Sequence, residues 1–114
     1  MKRKISPPVR YGRQCLDDSD VQAVLDVLAG DYLTQGPKAV EFERAICQRF
    51  DVGYASVTTN ATAALHLACL ALGIGGLDTV WTSALTFVAS ANSPAFCGAR
   101  VDFVDIDETT WNIS

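Results

Sequence analysis

Apolar residues recur along this chain at two different periods, and the places where the period changes mark its elements. Val21, Val24, Leu25 and Leu28 fall at helical spacing. Ser19 and Gln22 read as a capping box in front of them, and Gly30 supplies the C-terminal stop. Residues 31–36 form a loop, and Pro37 sits well in the first turn of a second helix. Val40, Phe42, Ala45, Ile46 and Phe50 give that helix a broad apolar face, which Asp51-Val52-Gly53 ends. From residue 54 onward the pattern alternates: strand 54–58, helix 61–72, strand 79–83, helix 87–97, strand 100–105. Gly73 and Gly98 close the two helices, and Gly75-Gly76 turns the chain toward the middle strand. Strand, helix and strand in this rhythm predict an α/β fold with parallel strands joined by crossover helices.

Composition narrows the class. The 114 residues are enough for one domain, and 49% apolar with 19% charged residues marks a globular chain. A net charge of −4 disfavours nucleic acid and anionic membranes as partners. The basic start, Met1-Lys2-Arg3-Lys4, is followed by Pro7 and Pro8 and not by an apolar run, so no signal peptide is expected. No window approaches the roughly 18 apolar residues that span a bilayer. A soluble cytoplasmic protein is the expectation. The cysteines, at 15, 47, 69 and 97, form no Cys-x-x-Cys pair, which disfavours a metal site or redox motif and predicts reduced thiols.

The richest stretch chemically is Thr58-Thr59-Asn60-Ala61-Thr62-Ala63. A β-rich run there ends in small polar residues that open directly into an apolar helix. Backbone N–H groups at such a helix start, with the Thr62 hydroxyl, can receive an anion. Locally the pattern fits equally an Asn60 N-cap with no ligand, which is the commoner use of such residues. Phe87, just past a strand end, can lie against a planar ligand at the sheet's C-terminal edge or simply fill core. His66, between Leu65 and Leu67, reads as a packing residue. Asp102, Asp105 and Asp107 resemble a metal cluster but have no histidine nearby, and fit a solvated strand end. Neither GxGxxG nor the P-loop spacing is present.

Taken together, several segments resemble one family. They are Tyr11-Gly12-Arg13-Gln14, Tyr32-Leu33-Thr34-Gln35-Gly36-Pro37 with Phe42-Glu43, and Asn60-Ala61-Thr62-Ala63-Ala64-Leu65-His66. Val80-Trp81-Thr82-Ser83, Thr86-Phe87-Val88-Ala89-Ser90-Ala91-Asn92 and the run from Gly98 to Asp107 complete the set. In order and spacing these are similar to the N-terminal part of the DegT/DnrJ/EryC1/StrS nucleotide-sugar aminotransferases. The resemblance leans to the pseudaminic acid branch, where a 4-keto nucleotide-sugar is aminated with glutamate as donor. It implies part of the large domain of a fold-type I pyridoxal-phosphate-dependent transferase, truncated, with residues 1–10 as an extended lead-in and 11–114 in the domain. It further implies that Ala61, Thr62 and Ala63 hold the cofactor phosphate and that Phe87 stacks on the pyridine ring. Tyr11 and the loop residues Asp31, Tyr32, Leu33 and Thr34 would face the nucleotide-sugar. The whole enzyme would be a homodimer.

The resemblance also sets expectations for what the chain lacks. The cofactor-holding lysine and the carboxylate on the pyridine nitrogen lie, in the family, beyond the equivalent of Ser114. Lys2, Lys4 and Lys38 match neither position. The chain alone is therefore not expected to transaminate, and a self-associating domain or a residual phosphate and nucleotide-sugar binder are its alternatives. In the family the strand equivalent to 54–58 lies across the sheet from the 79–83 and 100–105 pair, so unpaired edges are expected. Ala84 stands where the family usually has proline, which predicts a looser turn before Phe87. Pro94 falls inside a helix, where a proline costs about 3 kcal/mol and usually kinks.

Overall fold

The computed structural model describes residues 12–114, and the expected lead-in at 1–10 and Tyr11 lie outside them. The elements are α1 (Asp18–Leu28), α2 (Pro37–Phe50), α3 (Ala61–Ala71), β1 (Thr79–Ser83), α4 (Ala89–Phe96) and β2 (Arg100–Val104). The chain divides into two compact units, Met1–Glu41 and Phe42–Ser114, with the division falling inside α2.

In the first unit, α1 begins earlier than its expected cap. Asp17 is the N-cap: its Oδ1 accepts from the Ser19 and Asp20 backbone N–H groups at 2.8 and 3.2 Å. Asp20 Oδ2 in turn accepts from the Asp17 N–H at 3.0 Å, which completes a capping box. The Ser19–Gln22 box is thus corrected to Asp17–Asp20. Ser19 is already helical, and its hydroxyl donates to the same carboxylate at 2.6 Å. A full negative charge at the first turn also complements the helix dipole, which a serine cap does not.

The second unit is built around a two-stranded parallel sheet. β1 and β2 pair in register from Thr79 with Arg100 to Ser83 with Val104. α4 forms the crossover and packs on both strands and on α3. Both helices end in the same way. The Gly73 N–H donates to Leu70 O and the Ile74 N–H to Cys69 O at 3.0 Å each, while Gly98 and Ala99 repeat the pattern onto Ala95 and Pro94. These 5→2 and 6→1 bonds need the left-handed residue that Gly73 (φ 73°) and Gly98 (φ 83°) supply.

Three expectations for the elements are revised. Residues 54–58 carry no regular secondary structure and are not a strand, because the sheet of the described residues has only β1 and β2 to offer a ladder. α4 starts at Ala89 and not at 87, with Val88 as its N-cap, so Phe87 stays in the preceding loop. The turn at Ala84 is tied down: its N–H donates to Val104 O at 3.0 Å, a bond that proline cannot make. α4 continues through Pro94 to Phe96, and Pro94 is among the most buried side chains of the chain.

The core is small and sits at α4. Among the described residues only Ala89, Ser93, Pro94 and Ala99 are buried, and Ser93 satisfies its hydroxyl on Ala89 O at 2.7 Å. Large apolar side chains remain on the surface, including Leu72, Leu77, Trp81, Phe103 and Trp111. Among the described residues no helix is long and apolar enough to cross a membrane.

Candidate cofactor and substrate site

The first turn of α3 is organised by Asn60. Its backbone is extended, and its Oδ1 accepts from the Ala63 N–H at 2.9 Å. The Asn60 carbonyl accepts the first helical bond, from Ala64 N–H at 3.2 Å, and also the Thr58 hydroxyl at 2.9 Å. A helix start leaves its first N–H groups without helical partners. With Ala63 served by Asn60, the N–H groups of Ala61 and Thr62 have no partner among the described residues, nor has the Thr62 hydroxyl. Ala61 is exposed and Thr62 half-buried, so these donors are reachable. Of the three positions expected to hold a phosphate, two offer free N–H groups and the third is engaged by the cap.

Below this turn lies a groove of about 300 Å³, lined by Phe42, Glu43, Ile46, residues 55–58, Asn60 and Ala61. Its wall is fixed by Glu43, whose Oε1 accepts from the Val57 N–H at 3.0 Å. Phe87 belongs to the same unit, in the loop between β1 and α4, and is 74% exposed. That loop is held by the Ser83 hydroxyl, which accepts from Leu85 N–H at 3.2 Å, and by a 3.0 Å contact between the Thr86 and Ser90 hydroxyls. A ring so exposed has an open face for a planar ligand and little core to fill.

The expected sugar-facing loop stands in the first unit. Asp31, Tyr32 and Leu33 line a pocket of about 280 Å³ together with Gln35, Gly36 and Lys38; Thr34 is exposed in the same loop but outside that lining. The loop reverses at Gln35, whose φ of 51° is left-handed, and a Cβ on Gly36 would stand 2.8 Å from Tyr32 Cβ. Gln35, Gly36 and Lys38 are contributors that sequence reasoning did not single out, although all lie within or beside the family-like segment. Lys38 Nζ is paired with Glu41 at 2.6 Å, and that hydrogen bond pushes its ammonium above its ordinary value.

The remaining candidates are local. His66 meets Phe96 edge-on across the α3–α4 contact, with ring centroids 5.5 Å apart. Asp102 and Asp105 accept from the next residue's N–H, and Asp107 caps a turn through Thr109 and Thr110 N–H at 3.0 and 2.7 Å. Those bonds from Thr110 and Thr109 hold the Asp107 carboxyl below its ordinary value.

The chain is similar in sequence and fold to known proteins. The model of the DegT/DnrJ/EryC1/StrS aminotransferase family matches residues 14–114. The chain is 45% identical over 98 residues to the UDP-4-amino-4,6-dideoxy-N-acetyl-beta-L-altrosamine transaminase of Campylobacter jejuni, covering 86% of this chain and 26% of the relative. It superimposes on Helicobacter pylori PseC, an aminotransferase of pseudaminic acid biosynthesis, with a TM-score of 0.78 and 35% identity, over 86% of this chain and 27% of that one. A third match is E. coli GDP-4-keto-6-deoxy-D-mannose-3-dehydratase with bound hydrated pyridoxal phosphate, at a TM-score of 0.79 and 27% identity, covering 90% and 28%. The chain thus spans about a quarter of the length of the proteins it matches. On the family match and on the α/β arrangement of its second unit, this chain belongs to the DegT/DnrJ/EryC1/StrS aminotransferase family.

Proposed function

We propose that this chain supplies the phosphate-binding and ring-facing part of a pyridoxal-phosphate-dependent aminotransferase that aminates a 4-keto nucleotide-sugar, with glutamate as donor. The observation that carries the reading is the start of α3. Ala61 and Thr62 present two unpartnered N–H groups beside a free hydroxyl, in a chain 45% identical to a nucleotide-sugar transaminase over most of its length. A phosphate monoester fits that donor set, because its oxygens accept only and the helix dipole favours its charge. The cofactor's part in such chemistry is to take up electrons from the carbon that bears the amino group. The chain's part is to bind and orient: Ala61 and Thr62 anchor the phosphate, and Phe87 covers one face of the ring. Asp31, Tyr32, Leu33 and Thr34, with Tyr11, are assigned to the nucleotide-sugar. We assign no covalent role to Lys2, Lys4 or Lys38, and we take the whole enzyme to be a cytoplasmic homodimer.

Titration of the chain with pyridoxal phosphate tests the site, followed by calorimetry and by displacement with inorganic phosphate. Saturable binding that phosphate displaces is expected. A folded chain that binds neither would overturn the assignment of the α3 turn.

The surface favours a second reading alongside it, a domain that self-associates without turnover. Leu77 is fully exposed, and Trp81 and Phe103 stand exposed on the two-stranded sheet. Such apolar area is a usual mark of association. Light scattering after size exclusion decides: a discrete oligomer supports this reading, and a monomer at micromolar concentration removes it.

A further inference from the structure

We propose that Gln35 is a specificity-determining residue, whose carboxamide reads the imide edge of a uracil or thymine base seated on Tyr32 in the loop pocket of the first unit. The proposal rests on the assignment of that loop to the nucleotide-sugar, and it names which part of the sugar donor the loop holds. It uses no residue of the cofactor turn.

Gln35 is set apart by its backbone. Its φ of 51° lies in the left-handed region, where glycine, asparagine and aspartate are the usual occupants. Backbone strain of this kind gathers at ligand clamps, where the side chain it presents is put to use. Gln35 lines the pocket of about 280 Å³, and among the described residues its carboxamide bonds no other group. It is exposed, so no burial requirement of the fold accounts for an amide there.

The charges of the pocket decide which end of a nucleotide-sugar it suits. Asp26 and Asp31 bring two carboxylates to its lining, and Lys38 brings the one ammonium. That ammonium is already held by Glu41 at 2.6 Å. A diphosphate here would meet two negative groups and no unengaged cation, so an uncharged end of the molecule fits better. Of those ends, the base matches the side chains present. Tyr32 is 63% exposed and leaves a ring face for a planar heterocycle. The imide edge presents a donor, N3–H, beside carbonyl acceptors. A primary carboxamide presents an acceptor and donors in one plane, so Gln35 Oε1 accepts from N3–H while Nε2 donates to a neighbouring carbonyl. Ring and carboxamide belong to one tight reversal, in which a Cβ on Gly36 would stand 2.8 Å from Tyr32 Cβ.

The test is a ligand-observed NMR titration of the whole chain with uridine, 3-methyluridine and uridine diphosphate. Uridine should bind, and uridine diphosphate should bind at most a few-fold more tightly. Methylation at N3 removes the donor that Gln35 reads, so 3-methyluridine should bind roughly tenfold more weakly. Gln35→Gly suits the left-handed turn and removes the carboxamide. It should bind uridine and 3-methyluridine equally, a loss of discrimination that a purely structural role would not produce. The wild-type comparison of the two nucleosides stands by itself if that variant does not fold. Equal wild-type affinity for both nucleosides, or undiminished discrimination in Gln35→Gly, would overturn the proposal. Binding of uridine diphosphate without binding of uridine would also overturn it, while leaving the loop with the nucleotide-sugar. Binding of neither by the folded chain would remove both assignments. Titration with pyridoxal phosphate reports separately on the cofactor turn, which belongs to the second unit.

Discussion

The Glu43 carboxylate accepts a hydrogen bond from the Val57 backbone N–H at 3.0 Å, and so ties α2 to the segment that leads into α3. Residues 54–58 have no ladder partner among the described residues, so this one side chain does for Val57 what a neighbouring strand ordinarily does. Glu43→Ala should therefore release the Val57 amide to exchange and lower stability by about 0.5–1.5 kcal/mol, since the freed N–H is exposed enough to bond water. Glu43→Gln keeps an oxygen acceptor and should recover most of the protection. Unchanged exchange at Val57 in the alanine variant would show that the bond has no hold on this segment.

Asn60 offers a way to separate folding from ligand binding at one position. Its side chain caps Ala63, so Asn60→Ala should cost about 0.5–2 kcal/mol in denaturant unfolding. Asn60→Asp keeps the cap and adds a negative charge that suits the helix dipole, so stability should hold or rise. The same charge stands beside the Ala61 and Thr62 donors, and binding of pyridoxal phosphate should weaken. Equal cofactor affinity in the aspartate variant would move the phosphate away from this turn.

Thr62→Val tests the hydroxyl directly. Valine matches threonine in shape and removes one donor, and a hydrogen bond to a charged group contributes about 1.5–3 kcal/mol. Phosphate affinity should fall by roughly ten- to a hundredfold, with the fold unchanged because the Thr62 hydroxyl bonds no described residue. An unaltered dissociation constant in calorimetry would exclude the hydroxyl from the site.

What the sequence reveals and what it hides divides along the range of the interactions. β1 matches the expected strand 79–83 residue for residue, and Gly73 and Gly98 end their helices as expected, because turn chemistry and apolar periodicity are local. The family-like segments likewise mark the chain's kinship from residue 14 onward. The run 54–58 misleads because its composition suits a strand while strand formation needs a partner elsewhere, and among the described residues there is none. Asp17-Asp18-Ser19-Asp20 offers several possible caps within one turn, and the sequence alone does not choose between them. Phe87 was expected inside a helix; the bond from Ser90 N–H to Phe87 O starts α4 beyond it and leaves the ring exposed.

The Asp17 cap makes the first turn of α1 sensitive to acid. The Ser19 hydroxyl, then the Asp20 and Ser19 N–H groups, hold the Asp17 carboxyl below its ordinary 3.8. A carboxyl lowered by folding stabilises the folded form above its unfolded value, and that contribution is lost as pH falls through the folded value. Fraying of α1 should therefore set in below about pH 4, visible as faster exchange of the Ser19 and Asp20 amides. Asp17→Asn keeps an acceptor without the charge, and should remove this part of the pH dependence. Persistence of the same acid transition in the asparagine variant would assign it to another carboxyl.

Gly36 bears on the loop assigned to the nucleotide-sugar. A Cβ there would stand 2.8 Å from Tyr32 Cβ, and neither atom can swing aside because both are attached directly to the backbone. Gly36→Ala must therefore shift the loop itself, at about 1–3 kcal/mol for such crowding. The shift would carry Tyr32 out of a pocket that Asp31, Leu33 and Gln35 also line. Stability should fall by that amount in denaturant unfolding. If the pocket takes the nucleotide end of the sugar donor, binding of uridine diphosphate should weaken in the variant. Gly36→Ala with wild-type stability would mean that the loop has room to absorb the methyl group. A destabilised variant with unchanged uridine diphosphate affinity would instead separate this loop from the nucleotide.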